Sequence, residues 1–223
     1  MNGPTAVEPT RVPVSRLRRA IAKSMTASAL VPQFTVEYDV PLGALQQRRA
    51  QWKAAGAYVS VSDVLTAAVA RTVRRHPAVN TSWSEDVILQ HPEVHVGLAV
   101  AVPDGLVAPA VLRADTLALP ELAAERVQLT KAALAGALTP AELLSATFTI
   151  SNLGPFGVSR FRALVVPPQA AILAIGGMRP DGTIALALSC DHRVLDGAPA
   201  AEFLRELAGA LTAPKWAEKL LYA

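Results

Sequence analysis

The nine residues from Cys190 to Ala198, Cys-Asp-His-Arg-Val-Leu-Asp-Gly-Ala, hold a histidine, two carboxylates, an arginine and a glycine. An imidazole takes and returns a proton near neutral pH, which makes His192 a candidate general base. Asp196, four residues on, is placed to pair with a cation and pin the segment. Gly197 permits a backbone turn that a side chain would block. The apolar run from Thr183 to Ser189 predicts a strand ahead of this segment, and a helix is expected to open near Pro199. His192 therefore falls where a strand gives way to a helix, a common place for chemistry in a mixed α/β fold.

The elements that must carry this segment are legible along the chain. Residues 1–14 read as an extended N-terminal arm. Ser15 is a candidate cap, and Leu17, Ile21 and Met25 then follow at helical spacing until Val31-Pro32 stops the helix. Phe34 to Val40 alternates as a strand does. A helix over about Leu42 to Ala54 closes at Gly56, and the next is expected to start at Ser62-Asp63 and end at His76-Pro77. Short strands are expected at Val79 to Trp83 and Val87 to Leu89. His95 to Val102 reads as one central strand, apolar on both faces, and Val107 to Leu112 as another beyond a Pro103-Asp104-Gly105 turn. A long helix from Thr116 to about Ala135 and a capped start at Thr139-Pro140 precede the strand Thr147 to Ile150, with a break at Ser151-Asn152. Ala170 to Ile175 is a further strand. The final helix places Phe203, Leu204, Leu207 and Leu211 on one face. This order predicts one α/β catalytic domain over residues 15–223, with helices packed on a mixed β-sheet.

Composition bounds the function. The 223 residues are 52% hydrophobic and 17% charged, enough for one substantial core and far from a disordered chain. The net charge of +3 is too small to argue for a nucleic-acid partner. No apolar run reaches the roughly 20 residues that span a bilayer, and the N-terminus lacks the apolar core of a signal peptide. A single cysteine suits a reducing compartment, and a cytoplasmic location is the expectation. Cationic residues cluster at Arg16/Arg18/Arg19/Lys23, Arg48/Arg49/Lys53 and Arg71/Arg74/Arg75. They read first as solvated helix faces and second as a site for a polyanion such as the phosphates of coenzyme A. His91 and His95 have the i, i+4 spacing of metal ligands but lie across a proline in strand context, so no metal is expected. Cys190 stands two residues before His192, and no catalytic role is expected for its thiol.

Asp191-His192-Arg193-Val194-Leu195-Asp196-Gly197 resembles the His-x-x-x-Asp-Gly signature of the catalytic domain of the dihydrolipoamide acyltransferases, the E2 components of 2-oxo acid dehydrogenase complexes. The chloramphenicol acetyltransferases share their fold. Four further stretches carry the same resemblance in order: Val14 to Ala22, Asp104 to Ala110, Thr147-Phe148-Thr149-Ile150-Ser151-Asn152-Leu153-Gly154, and Pro167 to Leu173. The resemblance implies a two-layer, chloramphenicol-acetyltransferase-like sandwich and a homotrimer. Its active site would lie between subunits, with the histidine from one and the serine from its neighbour. It implies coenzyme A or acyl-CoA as substrate, with a channel that admits coenzyme A from one side and the acceptor from the other. His192 would be the base, its ring held by a hydrogen bond to its own backbone. Ser151 would stabilise the oxyanion of the tetrahedral intermediate, with Asn152 beside it in the motif. Asp196 would pair with Arg18 of the first helix, with Arg19 as the fallback, and support the histidine loop together with Gly197.

Three departures from the family pattern shape the functional expectation. Neither a lipoyl domain nor a peripheral-subunit-binding domain, and no lipoyl group, is expected on this chain. The hairpin between Ile175 and the last strand is short, where members usually carry a longer one. Ser145-Ala146 stands where a Gly-Gly pair is frequent. The favoured reading is a stand-alone acyltransferase that moves an acyl group, acetyl in the first instance, from acyl-CoA to a small-molecule hydroxyl. The alternatives are the core of a dihydrolipoamide acyltransferase, with a lipoyl domain as its partner, and a non-catalytic trimeric scaffold.

Overall fold

The computed structural model describes residues 9–221. Residues 1–8 of the expected arm lie outside the described residues, and residues 9–15 form no helix or strand. Helix α1 (Arg16–Ala29) opens on Ser15, whose hydroxyl accepts the Arg18 N–H at 3.1 Å. Strand β1 (Gln33–Pro41) follows, then α2 (Gly43–Ala54) and α3 (Val61–Arg75). The cap of α3 is Ser60 rather than Ser62. Asp63 is the cause: its carboxylate reaches back to the Ser60 N–H at 2.7 Å while the Ser60 hydroxyl accepts the Asp63 N–H, a reciprocal pair that sets the first turn two residues earlier.

Strands β2 (Thr81–Ser84) and β3 (Val87–Gln90) form a separate hairpin. The expected single strand from His95 to Val102 is two: β4 (Val96–Leu98) stays in the main sheet, and β5 (Val100–Val102) peels away to pair with β6 (Gly105–Val107). The break falls at Ala99, whose N–H still donates to Ile150 of the main sheet. The expected strand from Val107 to Leu112 is also divided, because Pro109 has no N–H to give a ladder. Its second half is β7 (Ala110–Val111).

Helix α4 (Leu119–Ala135) begins three residues later than expected. The Thr116 hydroxyl donates to the Arg113 carbonyl instead of capping, and Glu121 takes the Ala118 N–H. The remainder is α5 (Pro140–Leu144), β8 (Phe148–Asn152), β9 (Ala171–Ile175), β10 (Thr183–Asp191), α6 (Gly197–Thr212) and α7 (Glu218–Leu221). The strand does not break at Ser151: Ser151 and Asn152 are the last two residues of β8, and both lie in its ladder with β9.

The main sheet has the order β1-β10-β9-β8-β4-β7, parallel between β9, β8 and β4 and antiparallel elsewhere. Its two faces differ in kind. Ile184, Leu186, Leu188 and Cys190 of β10, Leu173 and Ile175 of β9, and Phe148 and Ile150 of β8 join the core with α3, α4 and α6. Most of the alternate residues, among them Thr149, Ser151, Ala174, Ala187, Ser189 and Asp191, are small or polar and lie on the other side. There the segment between β8 and β9 crosses: the Ser28 hydroxyl donates to the Val165 carbonyl at 2.6 Å, and Arg160 and Arg162 pair with Glu37 of β1. Those two cations hold the Glu37 carboxyl below its ordinary range. A Cβ on Gly176 would stand 2.1 Å from the Ser159 carbonyl oxygen, so only glycine lets this segment lie so near the sheet. Among the described residues no helix is long and apolar enough to cross a membrane.

Candidate active site

His192 follows directly on β10, and its segment is tied from three sides. The Asp191 N–H donates to the Ala170 carbonyl at 2.8 Å, and the His192 N–H donates to the Pro32 carbonyl at 2.8 Å. The Asp191 carbonyl accepts the N–H groups of Val194 and Leu195. The Asp191 side chain is 2% exposed, and its carboxylate takes three donors of Arg193: the backbone N–H at 2.9 Å, Nε at 2.9 Å and Nη2 at 2.7 Å. A buried carboxylate is sustained by such a charge-assisted fork, and in return it raises the pKa of the guanidinium. Leu195, in the same turn, is buried in the core.

Held this way, the backbone turns the His192 ring outward, with 54% of the side chain exposed. The ring lies 4.6 Å from that of Phe34, centroid to centroid. Its Nδ1 faces Asp196 Oδ1 at 3.5 Å. Among the described residues the ring makes no hydrogen bond to its own backbone, the arrangement the resemblance implied. The Asp196 side chain is 81% exposed, so this contact contributes at most about 1 kcal/mol and its use is orientation. With Nδ1 turned to the carboxylate, Nε2 on the far edge of the ring is the nitrogen free to accept a proton.

The expected pair of Asp196 with Arg18 is not formed in this chain, and no arginine lies within 4 Å of Asp196 among the described residues. Helix α1 packs on the β5–β6 hairpin instead. The Arg18 guanidinium comes within 3.5 Å of where a Gly105 Cβ would sit. Among the described residues Arg19 has no carboxylate partner either. Asp196 is the N-cap of α6 by position, without a side-chain cap bond, and Gly197 is the first residue of that helix.

Ser151 occupies the other end of the sheet. It is 8% exposed and sits level with Ala174 of β9, which is level with Ala187 of β10. Asp191 lies four residues further along β10. At about 3.3 Å per residue and about 4.8 Å between strands, the Ser151 and Asp191 Cα atoms are about 16 Å apart. The cause is direction: β8 is parallel to β9 and β10 antiparallel to it, so the two strands end at opposite edges. Ser151 and His192 of one chain therefore do not share a site. Asn152 accepts the Gly154 N–H at 2.9 Å through Oδ1, which shapes the turn after β8. It also lines a cavity of about 360 Å³ on the helix side, with Leu65, Thr66, Leu98, Arg126 and Phe156.

The remaining candidates have structural employment. His91 shares a 3.1 Å hydrogen bond with the Ser82 hydroxyl, and His95 Nδ1 accepts the Arg113 N–H at 3.0 Å. Among the described residues no three His, Cys, Asp or Glu side chains cluster as metal ligands. Cys190 is fully buried on the core side of β10, and burial pushes its thiol up to about 12, far from a thiolate at neutral pH. Trp83 ends the expected strand from Val79 and carries no chemical signal in the sequence. Its indole lies 5.3 Å beneath the Arg193 guanidinium, a contact across more than a hundred residues that no local signal announces.

Residues 6–218 match the family model of the 2-oxoacid dehydrogenases acyltransferase (catalytic domain). The chain is 36% identical over 227 residues to the dihydrolipoyllysine-residue acetyltransferase component of the mitochondrial pyruvate dehydrogenase complex of Caenorhabditis elegans, covering 92% of this chain and 45% of that protein. It is similar in structure to the dihydrolipoamide acetyltransferase of Azotobacter vinelandii, with a TM-score of 0.87, 32% identity, and 97% and 99% of the two chains covered. That enzyme was studied for the roles of a serine, a histidine and an asparagine in its catalytic mechanism. Histidine and asparagine stand four apart there, as His192 and Asp196 do here, and its serine precedes the histidine by 52 residues against 41 in this chain. Chloramphenicol acetyltransferase, at 14% identity and a TM-score of 0.56 over 85% of this chain and 94% of its own, shares the fold. The chain spans about half the length of the curated relatives it matches, and it belongs to the 2-oxoacid dehydrogenase acyltransferase family, whose catalytic domain it matches over nearly its whole length.

Proposed function

We propose that this chain is the catalytic core of a dihydrolipoyllysine-residue acetyltransferase of the pyruvate dehydrogenase type, exchanging an acetyl group between coenzyme A and a dihydrolipoyl thiol carried on a lipoyl domain. The observation that carries this reading is the match of nearly the entire chain to acetyltransferase components of that complex; His192 and Ser151 stand in the stretches that resemble the family's motifs. It favours a thiol acceptor over the small-molecule hydroxyl of the first reading. The short stretch between β9 and β10, residues 176–182, lies at the Ser151 end of the sheet, away from His192 of the same chain.

In the direction away from acetyl-CoA, His192 Nε2 takes the proton of the dihydrolipoyl thiol as its sulfur attacks the thioester carbonyl. The carbonyl oxygen gathers negative charge, and the Ser151 hydroxyl donates to it. The C–S bond to coenzyme A then breaks, and the proton returns from Nε2 to the departing thiolate. Asp196 faces Nδ1 and steadies the ring that carries the extra proton. Because Ser151 and His192 of one chain lie at opposite ends of the sheet, the serine that serves His192 comes from a neighbouring copy. A cyclic trimer provides that arrangement once per subunit.

The test is chromatographic. Acetyl-CoA is incubated with purified protein and dihydrolipoamide in one reaction, and with a panel of hydroxylated small molecules in another. The expected result is coenzyme A and S-acetyldihydrolipoamide in the first and no acetyl ester in the second. Transfer to an alcohol alone would return the chain to the stand-alone reading, and an assembled protein inactive in both would make it a scaffold.

A further inference from the structure

The His192 ring has few constraints of its own: the Phe34 ring at 4.6 Å and an exposed carboxylate at 3.5 Å. A general base must be held to within about 0.5 Å and 10–20° of its working geometry. The restraint comes from its two neighbours. Asp191 and Arg193 close a fork around the histidine, with the Asp191 carboxylate buried and the Arg193 side chain one-third exposed. The outer face of that guanidinium rests on Trp83 of β2, 5.3 Å from the ring centroid. A planar cation over an indole is the strongest arrangement of this type, and only arginine offers both the fork and the plane.

The β2–β3 hairpin is itself fastened to the histidine strand. The Thr81 carbonyl accepts the Ala170 N–H at 2.9 Å, and the Ala170 carbonyl accepts the Asp191 N–H at 2.8 Å. Ser82 bridges Gln169 beside them. A row of backbone bonds and a row of side-chain contacts thus run in parallel from β2 to the residue before His192.

We propose that Trp83, acting through Arg193 and Asp191, is a positioning residue for the His192 ring, so that the β2–β3 hairpin braces the active site. The proposal rests on the reading of His192 as the base. Trp83 touches no reacting group in it. Its contribution is to keep Arg193 extended across the Asp191 carboxylate, which fixes the backbone on both sides of the histidine. Without the indole the guanidinium can turn to solvent, the fork opens, and the ring samples orientations in which Nε2 misses the thiol.

The test uses Trp83→Leu, Trp83→Phe and Arg193→Lys in the purified protein, read by kcat and KM for acetyl-CoA and dihydrolipoamide and by crystal structures. Trp83→Leu is expected to lower kcat about tenfold with both KM values within about twofold, because alignment and not binding is lost. Trp83→Phe, which keeps an aromatic face, should recover most of the loss. Arg193→Lys, which leaves the hairpin intact but abolishes the fork, should reproduce it. The Trp83→Leu crystal should show the His192 ring displaced from Phe34. Wild-type kcat in both Trp83→Leu and Arg193→Lys, a loss that Trp83→Phe does not relieve, or a change confined to KM would overturn the proposal. Failure of the base reading looks different: His192→Ala would then turn over normally, while the ring in the Trp83→Leu crystal would still be displaced.

Discussion

Mixed oligomers offer a direct trial of the site. Take two inactive variants, His192→Ala and Ser151→Ala, and co-express them with different affinity tags. Loss of the base should cost two or more orders of magnitude in turnover, and loss of one oxyanion donor roughly a hundredfold. In one chain the two residues stand about 16 Å apart at opposite sheet edges, so no intact site can be built from a single copy. Where the histidine comes from one subunit and the serine from the next, an intact site needs a Ser151→Ala chain as histidine donor and a His192→Ala chain as serine donor. With equal amounts and random assembly, each condition is met half the time, so about a quarter of all sites are whole, and about one in three in a trimer that holds both variants. Oligomers carrying both tags, isolated by sequential purification, should therefore recover turnover about twentyfold or more above either parent. The assay is formation of S-acetyldihydrolipoamide per subunit. Tagged mixtures that assemble yet stay at the level of the parents would place both roles elsewhere than between chains and refute the reasoning.

Other consequences are simpler to read. Cys190, fully buried with its thiol pushed up to about 12, should resist a thiol reagent such as iodoacetamide until the protein unfolds, and Cys190→Ala should keep its acyltransfer rate; labelling followed by mass spectrometry decides. Burial first, and then the neighbouring charge of His95, lowers the pKa of His91, so the folded protein binds fewer protons there than the unfolded chain. Its share of stability is complete above about pH 6.5 and is lost as the pH falls below that value, and His91→Gln should flatten this part of a urea-denaturation profile measured against pH. Asp63, 2% exposed, holds Arg126 at 2.6 Å and caps α3 through Ser60. Asp63→Ala should cost about 3 kcal/mol in equilibrium unfolding, since it strands a partly buried cation and a helix start.

Much of this molecule is decided within a few residues of each position. Ser15, Ser60 and Thr139 start helices because their hydroxyls meet N–H groups three residues on, and Asp63 and Glu142 answer them, so the signals lie inside one helical turn. The alternation of Ile184, Leu186, Leu188 and Cys190 against smaller partners makes β10 a strand with one core face, whatever surrounds it. The motifs around Ser151 and His192 announce the family, because their residue types and order are written in the chain itself.

What the tertiary structure alone decided is which of these residues meet. Val96 to Val102 carries no polar side chain, so local preference cannot say where it leaves one sheet for another; the break at Ala99 follows from where Val96–Leu98 find β8 and where Val100–Val102 find β6. Asp196 has a suitable cation in Arg18 by type, yet α1 packs on the β5–β6 hairpin and His192 becomes its neighbour. Trp83 and Arg193 touch across the sheet because β2 is tied to Ala170 and Ala170 to Asp191. The separation of Ser151 from His192 depends on strand direction, which is settled by how β8, β9 and β10 pair and not by anything within either motif. Short-range hydrogen bonding and side-chain periodicity fix elements; the burial of shared apolar faces fixes their partners, and with them the distance between Ser151 and His192 within one chain.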